Sequence, residues 1–282
     1  MRTVGLAFGI TVLATFAYAQ APVVNAGGVV NAASYAAQPV APGSIVAIFG
    51  SNLASQVAVG DTIPLSTTLD TVTSVTFNGV PAGVYFVGPL QANVQLPWES
   101  LAAGSTTGTV NIVLTTNTGA STAQTVNVQS ISPGIFTLNQ NGVGQAVATD
   151  NADSAWAAPA GSVPGATSHP FSIATQGQDA HALTIWCTGL GAVTPEIADN
   201  ANSQNTDGTF TLRNTVVQPP DLVVTVGGKP AQILFSGLAP AFVSEYQINV
   251  LVDPTTAPGD AVEVQISVNG VTSNTATVAI GN

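Results

Sequence analysis

Few side chains in this 282-residue chain can do chemistry. It has two histidines, His169 and His181, and a single cysteine, Cys187. Nucleophilic catalysis needs a base beside the nucleophile, and Asp179-Ala180-His181 has the residue types to orient an imidazole. No G-x-S-x-G turn offers a serine, however, and His169-Pro170 falls in a stretch that reads as linker. Both histidines therefore read as exposed loop residues, and no catalytic residue is assigned. A transition-metal centre built from His169, His181 and Cys187 has no C-x-x-C or H-x-x-x-H spacing behind it. Cys187 sits between Trp186 and Thr188 in a strand pattern and reads as a small buried thiol.

Calcium is the one cofactor that residue chemistry motivates. The loop from Asp199 to Gly208 supplies two carboxylates and several amides, and Asp150-Asn151-Ala152-Asp153 supplies two more carboxylates. Hard cations take six to eight such oxygens. Asp199, Asn202 and Asp207 are the candidate ligands, but the spacing departs from the EF-hand loop and lacks its terminal bidentate Glu. Asn, Asp and Gly also build ordinary long turns, so the loop reads as solvated and no cofactor is assigned. Three tryptophans offer faces for sugar stacking. Trp186 reads as core, while Trp98 and Trp156 lie beside Pro97 and Ala157-Ala158-Pro159, too scattered for a platform.

The elements that must position these residues are strands. Leu90, Ala92, Val94 and Leu96 alternate with Gln91, Asn93 and Gln95, and Val262, Val264, Ile266 and Val268 with Glu263, Gln265 and Ser267. Successive strand side chains point to opposite faces, so the apolar set faces a core and the polar set faces water. Asn78-Gly79, Gly227-Gly228 and Asn269-Gly270 mark hairpin turns, because Asn and Gly tolerate positive φ. No helical period of useful length follows residue 19, and the expected class is all-β.

The pattern also runs twice. Val75 to Ala82 followed by Gln91-Ala92-Asn93-Val94 is matched by Val224 to Ala231 followed by Gln247-Ile248-Asn249-Val250. Upstream, Ile48-Phe49-Gly50 matches Ile185-Trp186-Cys187, and the second copy carries an insertion of about seven residues between Gly237 and Gln247. Two modules of about seven short strands each fit tandem immunoglobulin-like β-sandwiches. The expected division is module 1 over 20–131, a linker over 132–142 where Ser-Pro-Gly and Asn-Gln-Asn-Gly interrupt the pattern, and module 2 over 143–282.

Pro42 to Leu53, with Asn78-Gly79-Val80-Pro81-Ala82, resembles the IPT/TIG type of immunoglobulin-like module. Six ordered motifs make the resemblance more specific: Asn31 to Tyr35, Gln95 to Glu99, Ser132 to Thr137, Gly144 to Ala148, Thr188 to Gly191 and Ser236 to Pro240. Together they resemble the Solibacter paralogous C-terminal domain family of exported acidobacterial proteins over about residues 24 to 281. Cys187 departs from the first copy, which has Gly50 there, and the Asp199 to Gln218 stretch is longer and more polar than the pattern. The resemblance implies export, an immunoglobulin-like architecture and an adhesive or scaffolding context, with no catalytic residues to carry over.

Composition agrees with an exported globular protein. Residues are 45% hydrophobic and 6% charged, which excludes a charged disordered chain. Arg2, the apolar run Val4 to Phe16 and Ala17-Tyr18-Ala19 form a secretory signal over 1–19, with cleavage expected after Ala19. No later apolar run reaches the roughly 18 residues that span a bilayer. Cleavage leaves Arg213 and Lys229 as the basic side chains against 14 acidic ones, a balance that repels phosphate and disfavours nucleic acid. The expected protein is non-enzymatic, secreted to the periplasm, cell surface or extracellular space, and binds a protein or an envelope or matrix component. Carbohydrate or matrix binding through sandwich-end loops is the alternative, and a hydrolase a remote one.

Overall fold

The computed structural model describes residues 20–37, 39–177 and 181–282. The expected signal and its cleavage site, and Asp179, lie outside the described residues.

Fourteen strands carry the architecture. In the first module they are β1 (Val23–Asn31), β2 (Ile45–Ser51), β3 (Val72–Phe77), β4 (Val84–Val87), β5 (Gln91–Gln95), β6 (Thr107–Thr116) and β7 (Gln124–Gln129). In the second they are β8 (Ala148–Asp150), β9 (Leu183–Thr188), β10 (Leu222–Val226), β11 (Gln232–Leu238), β12 (Tyr246–Leu251), β13 (Gly259–Val268) and β14 (Ala276–Gly281). One sheet of the first module runs β1-β2-β5-β4 and the other β7-β6-β3. The second module repeats both orders as β8-β9-β12-β11 and β14-β13-β10. Numbered by strand within a module, that is the A-B-E-D sheet over the G-F-C sheet, the arrangement of an immunoglobulin-like sandwich. Both modules are therefore all-β sandwiches of that type.

Alternation and turn chemistry explain the register. In β6, Val110, Ile112 and Leu114 point inward, and in β13 Val264, Ile266 and Val268 do the same. Asn78-Gly79, Gly227-Gly228 and Asn269-Gly270 have positive φ at both positions, the twist that a two-residue hairpin needs to match its strands. Equivalent positions then pair alike: Val46 with Val94 and Ile48 with Ala92, against Leu183 with Val250 and Ile185 with Ile248. Val94 and Val250 are fully buried, and Gln91 and Gln247 are half-buried. Each sandwich closes its own apolar cluster, one drawn from Val24 to Val128 and the other from Ile131 to Ile280. Burying each of these aliphatic side chains is worth about 1.5–3 kcal/mol before conformational entropy is counted.

The segment 132–142 differs from a free linker. Gly134 and Ile135 pair with Thr188 and Cys187 as an added strand of the second module. Asn274 clamps the segment: its Oδ1 accepts from Ile135 N at 2.8 Å, and its Nδ2 donates to Ile135 O at 3.0 Å and Gly142 O at 2.8 Å. Pro and Gly set the local backbone path, while side chains far along the chain decide whether that path is packed.

Candidate functional site

The second copy departs from the first in two places, and both departures reach back to touch the first module. One is the insertion after β11, residues 239 to 245; the other is the polar stretch that begins at Asp199. Tyr85 of β4 donates its hydroxyl to Val243 O. Gln95, the last residue of β5, donates from Nε2 to Ser244 Oγ at 2.6 Å and accepts at Oε1 from Asn200 N. Leu65 N donates to Asn200 O at 2.8 Å, and Trp98 N to Asp199 Oδ1 at 2.9 Å. Thr188 Oγ1 accepts from Ile45 N at 3.1 Å and donates to Ser244 O at 2.9 Å. Asn31 completes the network, holding Ala33 N and Ser34 N with Oδ1 while Nδ2 donates to Ser132 O at 2.8 Å.

Four of these polar side chains are buried almost completely: Asn31 and Gln95 at 1% exposure, Thr188 at 0% and Ser244 at 1%. A buried polar group that loses its partner costs about 1–3 kcal/mol, so the network favours one relative placement of the modules over a loose hinge. Trp98, beside Pro97 at the end of β5, packs against the second module's apolar cluster. Gly43 lies beneath its ring with φ +69, and a Cβ there would stand 2.2 Å from the indole. Gln95 and Leu90 correct the reading by alternation. Alternation put Gln95 on the wet face with Gln91 and Asn93, yet the second module covers it, and Leu90, expected in the core, is 66% exposed.

Beside this network a groove of about 460 Å³ opens between the modules, lined among others by Tyr35, Tyr85, Asn93, Gln140, Trp156 and Glu245. It adjoins a second hollow of about 570 Å³ that shares Tyr35, Asn93 and Gln140 and adds Phe49, Phe86 and Gln91. Glu245 is partly exposed at the wall, and burial pushes its carboxyl up from 4.5 to about 7. Burial, with Glu245 next in importance, raises the Tyr85 hydroxyl well above the usual phenol range, and the same two causes raise the Cys187 thiol. Asp199 is pushed up from 3.8 to about 6, first by burial, while its bond from Trp98 N works the other way and the nearby Glu99 carboxyl raises it further. Aromatic faces and side-chain amides in one concave site can hold a ligand that is flat on one side and hydroxylated on the other. Sequence reasoning did not single out Tyr85, Gln140 or Glu245. The signal present was the insertion itself, one of whose residues is a carboxylate in a chain where charge is scarce.

The remaining candidates fall elsewhere. Asn202 donates from Nδ2 to Ala241 O at 3.2 Å and accepts from Gln204 N at 3.2 Å. Asp207 Oδ1 caps its own turn, accepting from Thr209 N at 3.0 Å and Thr209 Oγ1 at 2.6 Å. With Asp199 turned to Trp98, the three calcium candidates serve three separate local contacts. Cys187 is buried on β9. Trp186, expected as core, stands on the opposite face of that strand, half-buried and edge-on to Phe242 at 6.1 Å.

The histidines also depart from the expected exposed loops. His181 is 8% exposed and its Nε2 meets Asp150 Oδ2 at 2.7 Å, with the Phe171 ring edge-on at 5.1 Å. His169 lies in a short strand, Ser168–His169, with its Nε2 at 2.9 Å from Asp153 Oδ2. Both imidazoles thus converge on the turn after β8, away from Cys187, because pairing of Ala157 with His169 and of Asp150 with Leu183 brings those segments together.

No protein-family model matches the chain, and no curated protein sequence matches it. Among solved structures, it is similar to domains 5–6 of the S-layer protein SbsC, at 14% identity and a TM-score of 0.27, covering 92% of this chain and 98% of that one. It is similar to the D00-D0 domain of intimin at 12% identity and a TM-score of 0.21, over 93% and 100%. The full extracellular region of Plexin A4 gives 12% identity and a TM-score of 0.27 over 92% of this chain, which spans only 16% of that one. Scores this low do not superpose one fold on another, and the immunoglobulin-like assignment rests on the strand orders given above.

Proposed function

We propose that this chain is an exported, non-enzymatic adhesion or protein-binding protein of the cell envelope or extracellular space. In this reading the two sandwiches form a rigid pair and the inter-module groove is the contact site for an envelope or matrix component. The supporting observation is the buried network through Gln95, Thr188 and Ser244, which joins the modules and places residues of both on one groove. A preorganised site binds without paying again for the ordering of its parts.

A second reading, carbohydrate binding in the same groove, is favoured by its lining of Tyr35, Tyr85 and Trp156 beside Asn93 and Gln140. The test is to pass the purified chain over an immobilised envelope fraction and a glycan array, beside an Asn93→Arg, Gln140→Arg variant. Binding to envelope protein that the variant loses supports the first reading. Binding to a defined glycan that both this variant and Trp156→Ala lose selects the second. Equal binding by wild type and variant removes the groove from either account. The export part is tested separately by intact mass, which should show the exported chain beginning at Gln20.

A further inference from the structure

The insertion that joins the modules carries one acidic side chain, and its carboxylate stands without a partner. Among the described residues no N–H or O–H donates to Glu245, and burial acts on it unopposed by any hydrogen bond or cation. Both basic side chains of the described chain are engaged elsewhere: Arg213 donates to Pro195 O and Glu196 O, and Lys229 to Thr255. The backbone nevertheless holds this residue firmly. Glu245 O accepts from Ala239 N at 2.8 Å, Ser244 before it is held by Gln95 and Thr188, and the buried Tyr246 after it donates its hydroxyl to Gly191 O at 2.5 Å. A carboxylate drawn out of water with no donor to meet it destabilises the fold, and such a group at the wall of a cavity marks a place for a ligand.

The surroundings narrow the chemistry. Glu245 is the charged residue of the 460 Å³ groove, whose other walls include Tyr35, Tyr85 and Trp156. The faces of aromatic rings carry partial negative charge and attract a cation, more strongly where water is excluded. Asn93 and Gln140 add amide oxygens to the same groove. Asn93 Oδ1 accepts one bond, from Gln91 Nε2 at 2.8 Å, and keeps a second lone pair. One carboxylate and two amide oxygens match the three donors of a lysine ammonium. The titratable groups around Glu245 are the Tyr35 and Tyr85 hydroxyls and the Cys187 thiol; burial, with Glu245 next, raises those of Tyr85 and Cys187, which stay neutral. The chain has 14 acidic side chains against 3 basic ones, a balance that steers a basic partner toward it.

We propose that the groove takes the side chain of a lysine on a partner protein, with Glu245 as counter-ion to the ammonium and the rings of Tyr35, Tyr85 and Trp156 as its walls. This rests on the reading of the groove as a contact site and names the group that it recognises. The Glu245 carboxyl of the free protein holds its proton up to about 7, and an entering ammonium displaces that proton to solvent. The lysine itself is charged throughout this range, so affinity rises with pH.

The test is a titration of the purified chain with an end-blocked pentapeptide, one lysine among four alanines, and with its Nε-acetyl form. The Trp156 indole N–H is followed by NMR, and Trp186, outside the groove, is the control. A saturable shift of Trp156 with the lysine peptide is expected, with binding of the acetylated form at least about tenfold weaker at pH 8. The wild type should bind the lysine peptide roughly tenfold or more tightly at pH 8 than at pH 5.5, and Glu245→Gln about equally weakly at both. That variant removes only a charge that folding must desolvate, so it folds. The proposal is overturned by equal binding of the two peptides, by Glu245→Gln binding as tightly as the wild type at pH 8, or by an unmoved Trp156 signal. Capture from the immobilised envelope fraction separates the two layers of the argument. If Asn93→Arg, Gln140→Arg loses the captured protein while Glu245→Gln keeps it, the groove is a contact site that does not recognise lysine. Equal capture by the wild type and the arginine variant overturns both.

Discussion

Replacing Glu245 with glutamine should flatten the dependence of stability on pH. In the folded chain the Glu245 carboxyl holds its proton up to about 7, against 4.5 for an ordinary glutamate, because burial between the modules penalises the charged form. Between those two pH values the folded state binds more protons than the unfolded state, so stability falls as pH rises through the window. Moving a carboxyl from 4.5 to about 7, at about 1.36 kcal/mol per pH unit, amounts to about 3 kcal/mol. The full penalty is present above pH 7 and absent below 4.5. Asp199, raised from 3.8 to about 6, adds to the same trend at the lower end. Asp70, Asp153, Asp207 and Asp253 are lowered and oppose it only at still lower pH. Relief of repulsion among the acidic side chains on acidification has the same sign as the Glu245 effect. The discriminating quantity is therefore the difference between wild type and Glu245→Gln. Urea unfolding at pH 4.5 and pH 8, at constant ionic strength, should show wild type losing about 3 kcal/mol more than the variant over that interval. Equal losses in the two proteins, or a wild type that gains stability as pH rises through the window, would refute the reasoning.

Three further outcomes follow from the junction and the loops. Gln95→Ala leaves the Ser244 hydroxyl and Asn200 N–H without their partner and should cost about 2–4 kcal/mol in urea unfolding, with a broader distance distribution in small-angle scattering; a cost below about 0.5 kcal/mol would mean that the network does not join the modules. Gly43→Ala adds a Cβ where φ is +69 and the Trp98 ring is 2.2 Å away, and should lower stability by about 1–3 kcal/mol by the same measurement. Millimolar calcium should leave the melting temperature unmoved, because Asp199, Asn202 and Asp207 each serve a separate contact. A rise with calcium that disappears in Asp199→Ala and Asp207→Ala, approaching about 2.7 kcal/mol at a hundredfold excess over Kd, would show that the loop binds it.

The amino-acid sequence determined whatever depends on neighbours a few residues apart. The inward Val and Ile of β5, β6, β12 and β13 follow from a period of two, and the Asn-Gly and Gly-Gly turns follow from the steric freedom of those residues at positive φ. Duplication of that local pattern in the same order also made the second sandwich legible, since equal patterns close equal sheets. Tertiary structure alone decided what stands on the far side of each sheet. Alternation assigns Gln95 to the polar face correctly, but it cannot say that Ser244 and Asn200, 149 and 105 residues away, cover that face and bury it. Nor does any spacing show that His181 will meet Asp150 across 31 residues, or that an insertion read as a difference in length would carry Val243, Ser244 and Glu245 to the other module. The physical reason is the range of the forces. Side-chain alternation and turn strain act over a few bonds, whereas desolvation and hydrogen bonding at the junction depend on which distant segments the closed chain brings together.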